Sequence, residues 1–426
     1  MLNDVILSGC DWLAVCWVVE MYLPRKIALA SFAGYAFSYN FEATRFGTSI
    51  CYRLYSVWGV PLYQQANPRM QSRAQRMQME DRIVNLPLST PRSVSSVSCR
   101  YRRQRVLAVV CCAYLATVLG AWLMLQWADR WWPATILMFA PRWILALPLV
   151  LLLPLAAFMR SWSVVVVLVA GLVVGWPVMG FNVPWLRLAG GNPSGTRLRV
   201  MTLNMHHSNA DPKALENLTA AAAPDIVAVQ EWAGYERAAL RFAPGWHVHA
   251  TSRLFLASRY PIKKIVDLGG YSMGEHAALA HYELDTPFGV IHVFSVHAAS
   301  TREGIYDTIH ESRKGPSEVR ANSARRRAQS KFVASKAAEC QGPVLIVGDF
   351  NTPSDSSIFP EVWNGYTDAF TAAGWGWGYT FLGAKTTVRI DHVLIGKGWA
   401  CSACRVGPFV GSPHRPVVAE LVWTGG

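Results

Sequence analysis

Asp349 and Asn351 stand two positions apart, just beyond the aliphatic run Val344-Leu345-Ile346-Val347 and the stop at Gly348. A short run rich in β-branched residues reads as a strand buried on both faces. In extended chain, residues i and i+2 share a side, so this carboxylate and amide would point together beyond the strand end. The alternative is a plain turn, since Gly, Asp, Asn and Pro all terminate strands. Three further runs repeat the pattern. Residues 198–203 deliver Asn204, residues 225–230 deliver Glu231, and residues 290–296 deliver His297. A packed core would bring these ends to one rim, where Asn204, Glu231, His297, Asp349 and Asn351 converge. Carboxylate and amide oxygens are hard ligands suited to Mg²⁺ or Mn²⁺, and a histidine can hold a phosphate oxygen. The set lacks cysteine, which makes zinc the poorer candidate.

These stretches resemble the endonuclease/exonuclease/phosphatase family, the DNase I-like metal-dependent phosphodiesterases and phosphatases. The carrying residues are Leu203-Asn204, Gln230-Glu231, Ser295-Val296-His297, Gly348-Asp349-Phe350-Asn351, Arg389-Ile390-Asp391-His392 and Ser412-Pro413-His414-Arg415-Pro416-Val417. The resemblance covers roughly residues 196 to 424. It implies a four-layer α/β sandwich, two packed and mostly antiparallel sheets flanked by helices. It also implies roles. Glu231 would be the principal metal ligand with Asn204 beside it. Asp349 would hold and deprotonate the attacking water, and Asn351 would orient that water or bind phosphate. His297 and His414 would donate to phosphate oxygens as charge develops. Asp391 would face His414, orient it and favour its protonated form. Taken singly, Asp391 reads equally as a strand-edge carboxylate and His414 as a loop residue. His206, His207, His276, His292 and His392 have no counterpart and read as core or surface residues. One position departs from the family pattern, which is normally Ser-Asp-His where this chain has Ser412-Pro413-His414. Proline offers neither a side-chain oxygen nor an N–H, so the resemblance implies one weakened metal site and not a lost one.

Composition places the rest of the chain. It is 52% hydrophobic and 16% charged, with 18 Trp among 426 residues, more apolar than a soluble enzyme usually is. The net charge of +13 is uneven. Residues 1–196 hold 17 Lys/Arg against 7 Asp/Glu, while residues 197–426 hold 23 against 20. The basicity therefore flanks apolar segments and reads as membrane flank, not as a nucleic-acid footprint. Cys401 and Cys404 form a lone C-x-x-C with no second pair for zinc. They could close as a small disulfide outside the cytoplasm; the plainer reading gives them no role.

Residues 1–104 read as a poorly defined, disordered or cytoplasmic N-terminal region. The apolar stretch Val5 to Leu23 is interrupted by Asp11 and Glu20, and an acid at a helix centre costs about 2.5–3.5 kcal/mol. Residues 105–182 carry three apolar runs, 106–127, 137–158 and 164–181, expected as three transmembrane helices in a lipid bilayer. Arg142 lies near the start of the second run, where it could snorkel. Arg100, Arg102, Arg103, Arg105 and Arg160 would be cytoplasmic under the positive-inside rule. The catalytic domain then lies on the extracytoplasmic side, although Arg130 and Arg142 oppose this. Residues 183–196 form a linker, and residues 197–426 the catalytic domain. Helices are expected over 211–222, opened by Asp211 and Pro212, and over 317–339, whose Arg320, Arg325, Arg326, Arg327 and Lys331 read as a solvated face before a phosphate site. Strands are expected at 246–250, 254–258, 277–284, 388–395 and 417–423.

The function expected is a membrane-anchored hydrolase of phosphoric esters dependent on Mg²⁺ or Mn²⁺. The alternative is an inactive scaffold or ligand-binding protein keeping the fold. Nucleic acid, phospholipid headgroups and small phosphoesters all remain as substrate, and no protein partner is indicated. The near-neutral catalytic domain argues mildly against tight duplex binding.

Overall fold

The computed structural model describes residues 92–191, 193–206, 211–232, 245–269, 277–310, 314–383 and 386–425. His207, His276 and the N-terminal region up to residue 91 lie outside the described residues. The helices are α1 (Arg92–Leu125), α2 (Trp132–Phe139), α3 (Leu147–Phe158), α4 (Ser163–Val173), α5 (Trp185–Gly190), α6 (Pro212–Ala222), α7 (Arg302–His310), α8 (Gly315–Ala338), α9 (Ile358–Val362) and α10 (Ala369–Ala373). The strands are β1 (Thr196–Asn204), β2 (Ile226–Gln230), β3 (His247–Ala250), β4 (Leu254–Ser258), β5 (Ile262–Asp267), β6 (Ala278–Thr286), β7 (Gly289–His297), β8 (Val344–Asp349), β9 (Thr367–Asp368), β10 (Phe381–Leu382), β11 (Thr387–Val388), β12 (Asp391–Ile395), β13 (Trp399–Val406) and β14 (Val417–Trp423).

Two six-stranded sheets form the C-terminal half, in the orders β13-β14-β1-β2-β4-β3 and β5-β6-β7-β8-β12-β9. Most neighbours are antiparallel, but β1–β2 and β7–β8 are parallel. Side-chain alternation with period two sorts each strand between two cores. Leu198, Val200, Ile226, Ala228, Ile291, Val293, Leu345, Val347, Val393 and Ile395 fill the space between the sheets. On the outer face of the first sheet, Met201, Leu203, Val227 and Val229 pack against Leu215 and Leu218 of α6. On the outer face of the second, Phe294, Ile346 and Leu394 pack against Val333 and Ala337 of α8. Helix, sheet, sheet and helix make the four layers. Asp211 caps α6 by accepting from the Lys213 N–H at 3.0 Å.

Cys401 and Cys404 are free thiols buried in the inter-sheet core. A bulge between Cys401 and Ala403 explains how residues three apart face the same way. The expected strand over 388–395 is broken in two, Thr387–Val388 pairing with β10 and Asp391–Ile395 with β8.

The helical region corrects the expectation of three spans. Arg100–Leu125, within α1, is the only single described helix long and apolar enough to cross a membrane. The second run is bent by 80° between Trp132–Phe139 and Arg142–Phe158. Pro141 lies at the bend, and Arg142 is not snorkelling. Its side chain is buried and ion-paired with Asp355 of the sheet-bearing half. The third run gives 11 residues of α4 and 5 of a π-turn containing Pro177, about 24 Å at 1.5 Å per residue and short of a ~30 Å hydrocarbon core.

The strand does not stop at Gly348 as expected but runs on through Asp349, and close packing explains the glycine inside it. Gly348 has φ +135°, and a Cβ built there would lie 2.0 Å from the Val296 carbonyl oxygen on the parallel neighbour. Backbone cannot yield as a side chain tip can. Gly348→Ala is expected to lower stability by about 3 kcal/mol or more, read as a fall in the thermal unfolding midpoint. An unchanged midpoint would contradict this packing.

Candidate active site

The rim forms where β1 and β2 of one sheet end beside β7, β8 and β12 of the other. Strand register sets the partners. Asp349 stands opposite both His297 and Asp391, its neighbours on the two adjacent strands. Asn204, His297, Asp349 and Asp391 continue the parity of the inter-sheet core, so alternation alone aims them into the gap. Glu231 and Asn351 do not follow by alternation. Both lie one or two residues past a strand end with positive φ, +51° and +47°, a conformation that costs a non-glycine residue about 1–2 kcal/mol. Asn351 thus joins Asp349 through a turn and not through extended chain. Asp349 Oδ1 accepts from the Asn351 backbone N–H at 2.8 Å.

Asn204 Nδ2 donates to Asp349 Oδ2 at 2.8 Å and to Glu231 Oε1 at 3.0 Å. His297 Nε2 lies 3.4 Å from Glu231 Oε1 and 3.9 Å from Asp349 Oδ2. His414 Nε2 also lies 3.9 Å from Asp349 Oδ2, while its Nδ1 binds Asp391 Oδ2 at 2.9 Å. Asn351 Nδ2 donates to the Ala298 carbonyl at 2.9 Å. All seven predicted residues therefore occupy one cluster. Surrounding bonds fix them. Thr380 Oγ1 accepts from the Ile390 and Asp391 N–H groups at 3.0 and 3.1 Å. Ser412 Oγ donates to the Asn204 carbonyl at 2.7 Å and accepts from the His414 N–H at 3.1 Å.

The electrostatics separate the titrating groups. Burial, then the Asp391 carboxylate, push Asp349 up to about 7. Burial works against a charged His414, but the Asp391 and Asp349 carboxylates more than offset it and raise the imidazole to about 9. Burial pushes His297 down to about 4 despite Glu231, so it is neutral at pH 7. The cluster sets three carboxyl groups, Glu231, Asp349 and Asp391, against one imidazolium. His297 Nδ1 is buried without a hydrogen-bond partner among the described residues. This excess of oxygen donors and negative charge over one imidazolium fits a divalent cation held by carboxylate and amide oxygens.

The sequence missed a group behind the loop. Arg326 of α8 is not on a solvated face. Its side chain is fully buried and ion-paired with Asp129. Its Nη1 donates to the Asn351 carbonyl at 3.0 Å and to Thr352 Oγ1 at 3.3 Å. Asp129 also accepts from Ser323 and Ser356 hydroxyls. One signal was available, because Asp129 is the sole acid between Arg82 and Ala210. His392, read as a satisfied residue, is buried and bonded to Asp368 at 2.7 Å and the Thr352 carbonyl at 3.0 Å.

A two-sheet sandwich whose strand ends gather acids, amides and histidines around one point defines a phosphoester hydrolase. The model of the Endonuclease/Exonuclease/phosphatase family matches residues 201–414. The chain belongs to that family. Solved structures similar to it include humanized D. rerio TDP2 carrying 14 mutations, at 15% identity, TM-score 0.43, covering 53% of this chain and 98% of that one. A variant of the 3′ phosphatase NExo from Neisseria, bound to product DNA hairpin, has 18% identity, TM-score 0.40 and coverages of 53% and 100%. An endonuclease/exonuclease/phosphatase from Beutenbergia cavernae has 17% identity, TM-score 0.38 and coverages of 54% and 72%. No curated protein matches the chain.

Proposed function

We propose that the chain is a membrane-anchored hydrolase of phosphoric esters that uses Mg²⁺ or Mn²⁺. The observation that carries this reading is Asp349 Oδ2, buried and approached at once by Asn204 Nδ2, His297 Nε2 and His414 Nε2. Glu231 and Asn204 are the residues to hold the ion. Bound there, it would polarise a phosphoryl oxygen and offset the developing charge. Asp349 takes the proton of the attacking water, and the Asn351 turn holds that carboxylate still. His414, kept protonated by Asp391, donates to the phosphoryl oxygens, and neutral His297 donates beside it. The substrate class is phosphoester; nucleic acid, lipid headgroup and small phosphoester are alternatives that a substrate panel distinguishes.

The test is hydrolysis of bis-p-nitrophenyl phosphate by the detergent-solubilised full chain. Activity should vanish with chelator and return with Mg²⁺ or Mn²⁺. Pro413 sharpens it. Its side chain offers no oxygen where the family pattern places an acid, so activation should saturate as for a single weak site. Pro413→Asp should tighten the metal response roughly tenfold, as about 1.4 kcal/mol of added binding would give. A dead parent revived by Pro413→Asp would instead favour a scaffold.

Membrane anchoring rests on Arg100–Leu125, with its run of exposed aliphatic side chains such as Val106, Val109 and Val110. Its C-terminal end, Leu125, joins an apolar cluster with Val388 and Ile390 of the catalytic half. Arg100, Arg102, Arg103 and Arg105 lie at the other end. A single span obeying the positive-inside rule puts those arginines in the cytoplasm and the catalytic half across the membrane. A reporter active only outside the cytoplasm, fused after Gly426, should work; if only a cytoplasmic reporter works, this topology is wrong.

A further inference from the structure

A second cluster of ligand-type side chains lies on the outer face of the second sheet. His281 of β6, His292 of β7 and Cys340 just beyond α8 bring one imidazole nitrogen each and a thiol within 4.8 Å of one another. His292 stands opposite Val344 at the start of β8, whereas the catalytic rim begins at Asp349. Five residues of strand separate the two, about 16 Å at 3.3 Å per residue. The catalytic reading makes no use of this cluster.

Its geometry is that of a partly assembled site. His292 Nε2 lies 3.2 Å from the Gln341 carbonyl oxygen, which accepts its proton. That contact fixes the tautomer and leaves a lone pair on Nδ1, the usual way a metal-binding histidine is held. The lone pair faces His281 Nε2 at 3.0 Å, and Cys340 Sγ lies 3.9 Å from that same nitrogen. A tetrahedral ion with bonds of about 2.0–2.1 Å to nitrogen and 2.3 Å to sulfur sets edges of about 3.3 Å and 3.6 Å. Each observed separation is within about 0.4 Å of those edges. His281 is also pinned from its other face, stacked on Phe294 with ring centroids 4.3 Å apart and planes at 4°.

We infer that His281, His292 and Cys340 form a binding site for one Zn²⁺-class ion, separate from the catalytic centre. Two imidazoles and a thiolate are softer donors than the oxygen-rich rim and select zinc over Mg²⁺ or Mn²⁺. Binding would break the hydrogen bond between the two histidines. The His281 proton moves from Nε2 to Nδ1, and the Cys340 thiol releases its proton to solvent. Three protein ligands leave a fourth position for water. Glu283, two residues from His281 on the same strand face and opposite His292 in the β6–β7 register, is tied to Lys264 at 3.3 Å.

Cobalt is the spectroscopic stand-in. The detergent-solubilised full chain, titrated with Co²⁺ alone, should develop an intense near-ultraviolet sulfur-to-cobalt charge-transfer band and tetrahedral visible bands at one equivalent. Zn²⁺ should displace them. Cys340→Ser, a near-isosteric change that keeps the fold, should abolish the charge-transfer band, and His281→Asn should weaken Co²⁺ binding at least tenfold. Asp349→Asn and the Cys401→Ser/Cys404→Ser pair should leave the band intact, since neither touches the cluster. No band in the parent, or a band that survives Cys340→Ser, would overturn the site and leave the two histidines as a simple hydrogen-bonded pair.

Discussion

Asp349→Asn is expected to lower kcat by about 10²–10⁴-fold, the usual cost of losing a general base, while thermal unfolding stays close to that of the parent. The amide is isosteric, and it can still accept from the Asn351 N–H as Oδ1 does at 2.8 Å. What it cannot do is take a proton, or accept from Asn204 Nδ2 as Oδ2 does at 2.8 Å. The pH profile gives the same assignment a second reading. In the parent, activity should rise as Asp349 deprotonates, at or below about 7, because a cation alongside favours the carboxylate. It should fall again at or below about 9 as His414 loses its proton, since the same cation disfavours the imidazolium. The sign follows from the roles, since the base must be ionised and the donor protonated. Asp391→Asn removes the nearest carboxylate that raises His414, so the alkaline limb should move to lower pH; the acid limb, which the same carboxylate raises through Asp349, should move down as well. Near-full turnover in Asp349→Asn, or an alkaline limb unmoved in Asp391→Asn, would remove those residues from the mechanism.

The sandwich was legible through the family resemblance and not through periodicity; what the runs themselves showed was short apolar strands, each ending in a polar residue. The same alternation that hides Leu345 and Val347 carries on to Asp349, and the one that hides Ile291 and Val293 carries on to His297. Two features of the rim were not readable this way. The φ of +51° at Glu231 and +47° at Asn351 reverses the local chain direction, and no periodicity encodes a single left-handed residue. The helical region failed for a related reason. Hydropathy counts apolar residues but not the 80° bend beside Pro141, nor the ion pair that takes Arg142 out of any lipid environment. Arg326 was misread because four basic residues near it, Arg320, Arg325, Arg327 and Lys331, do lie at or near the surface of α8. Only its partner, far back in the chain at Asp129, distinguishes it.

That pair supports a prediction that ties stability to turnover. Arg326 and Asp129 are each fully shielded from solvent, and burial would push the Asp129 carboxyl up were it not for Arg326, which brings it below its ordinary value. Removing one partner strands the other's charge in the interior. Arg326→Met is therefore expected to cost about 3–5 kcal/mol, seen as a lower unfolding midpoint. Replacing both charges avoids the stranded ion, so Asp129→Asn/Arg326→Met, which keeps a residue tolerated at the φ of +62° and an oxygen for the Ser323 and Ser356 hydroxyls, should recover much of that loss. Turnover should not recover with it. Arg326 Nη1 also donates to the Asn351 carbonyl at 3.0 Å, and the methionine cannot supply that bond. The Asn351 turn, which holds Asp349 through its N–H, would lose the donor that fixes its far side. The double variant should then fold nearly as the parent does, bind substrate with little change in KM, and show a kcat lower by roughly tenfold or more, the loss of about 1.5–3 kcal/mol expected for a hydrogen bond from a charged group. Because Asp129 follows α1 directly and belongs to the helical half, the same result would make the seating of that half a condition for turnover. A double variant with parental kcat would show that the pair serves only to join the two halves, and that the Asn351 turn holds its shape without Arg326.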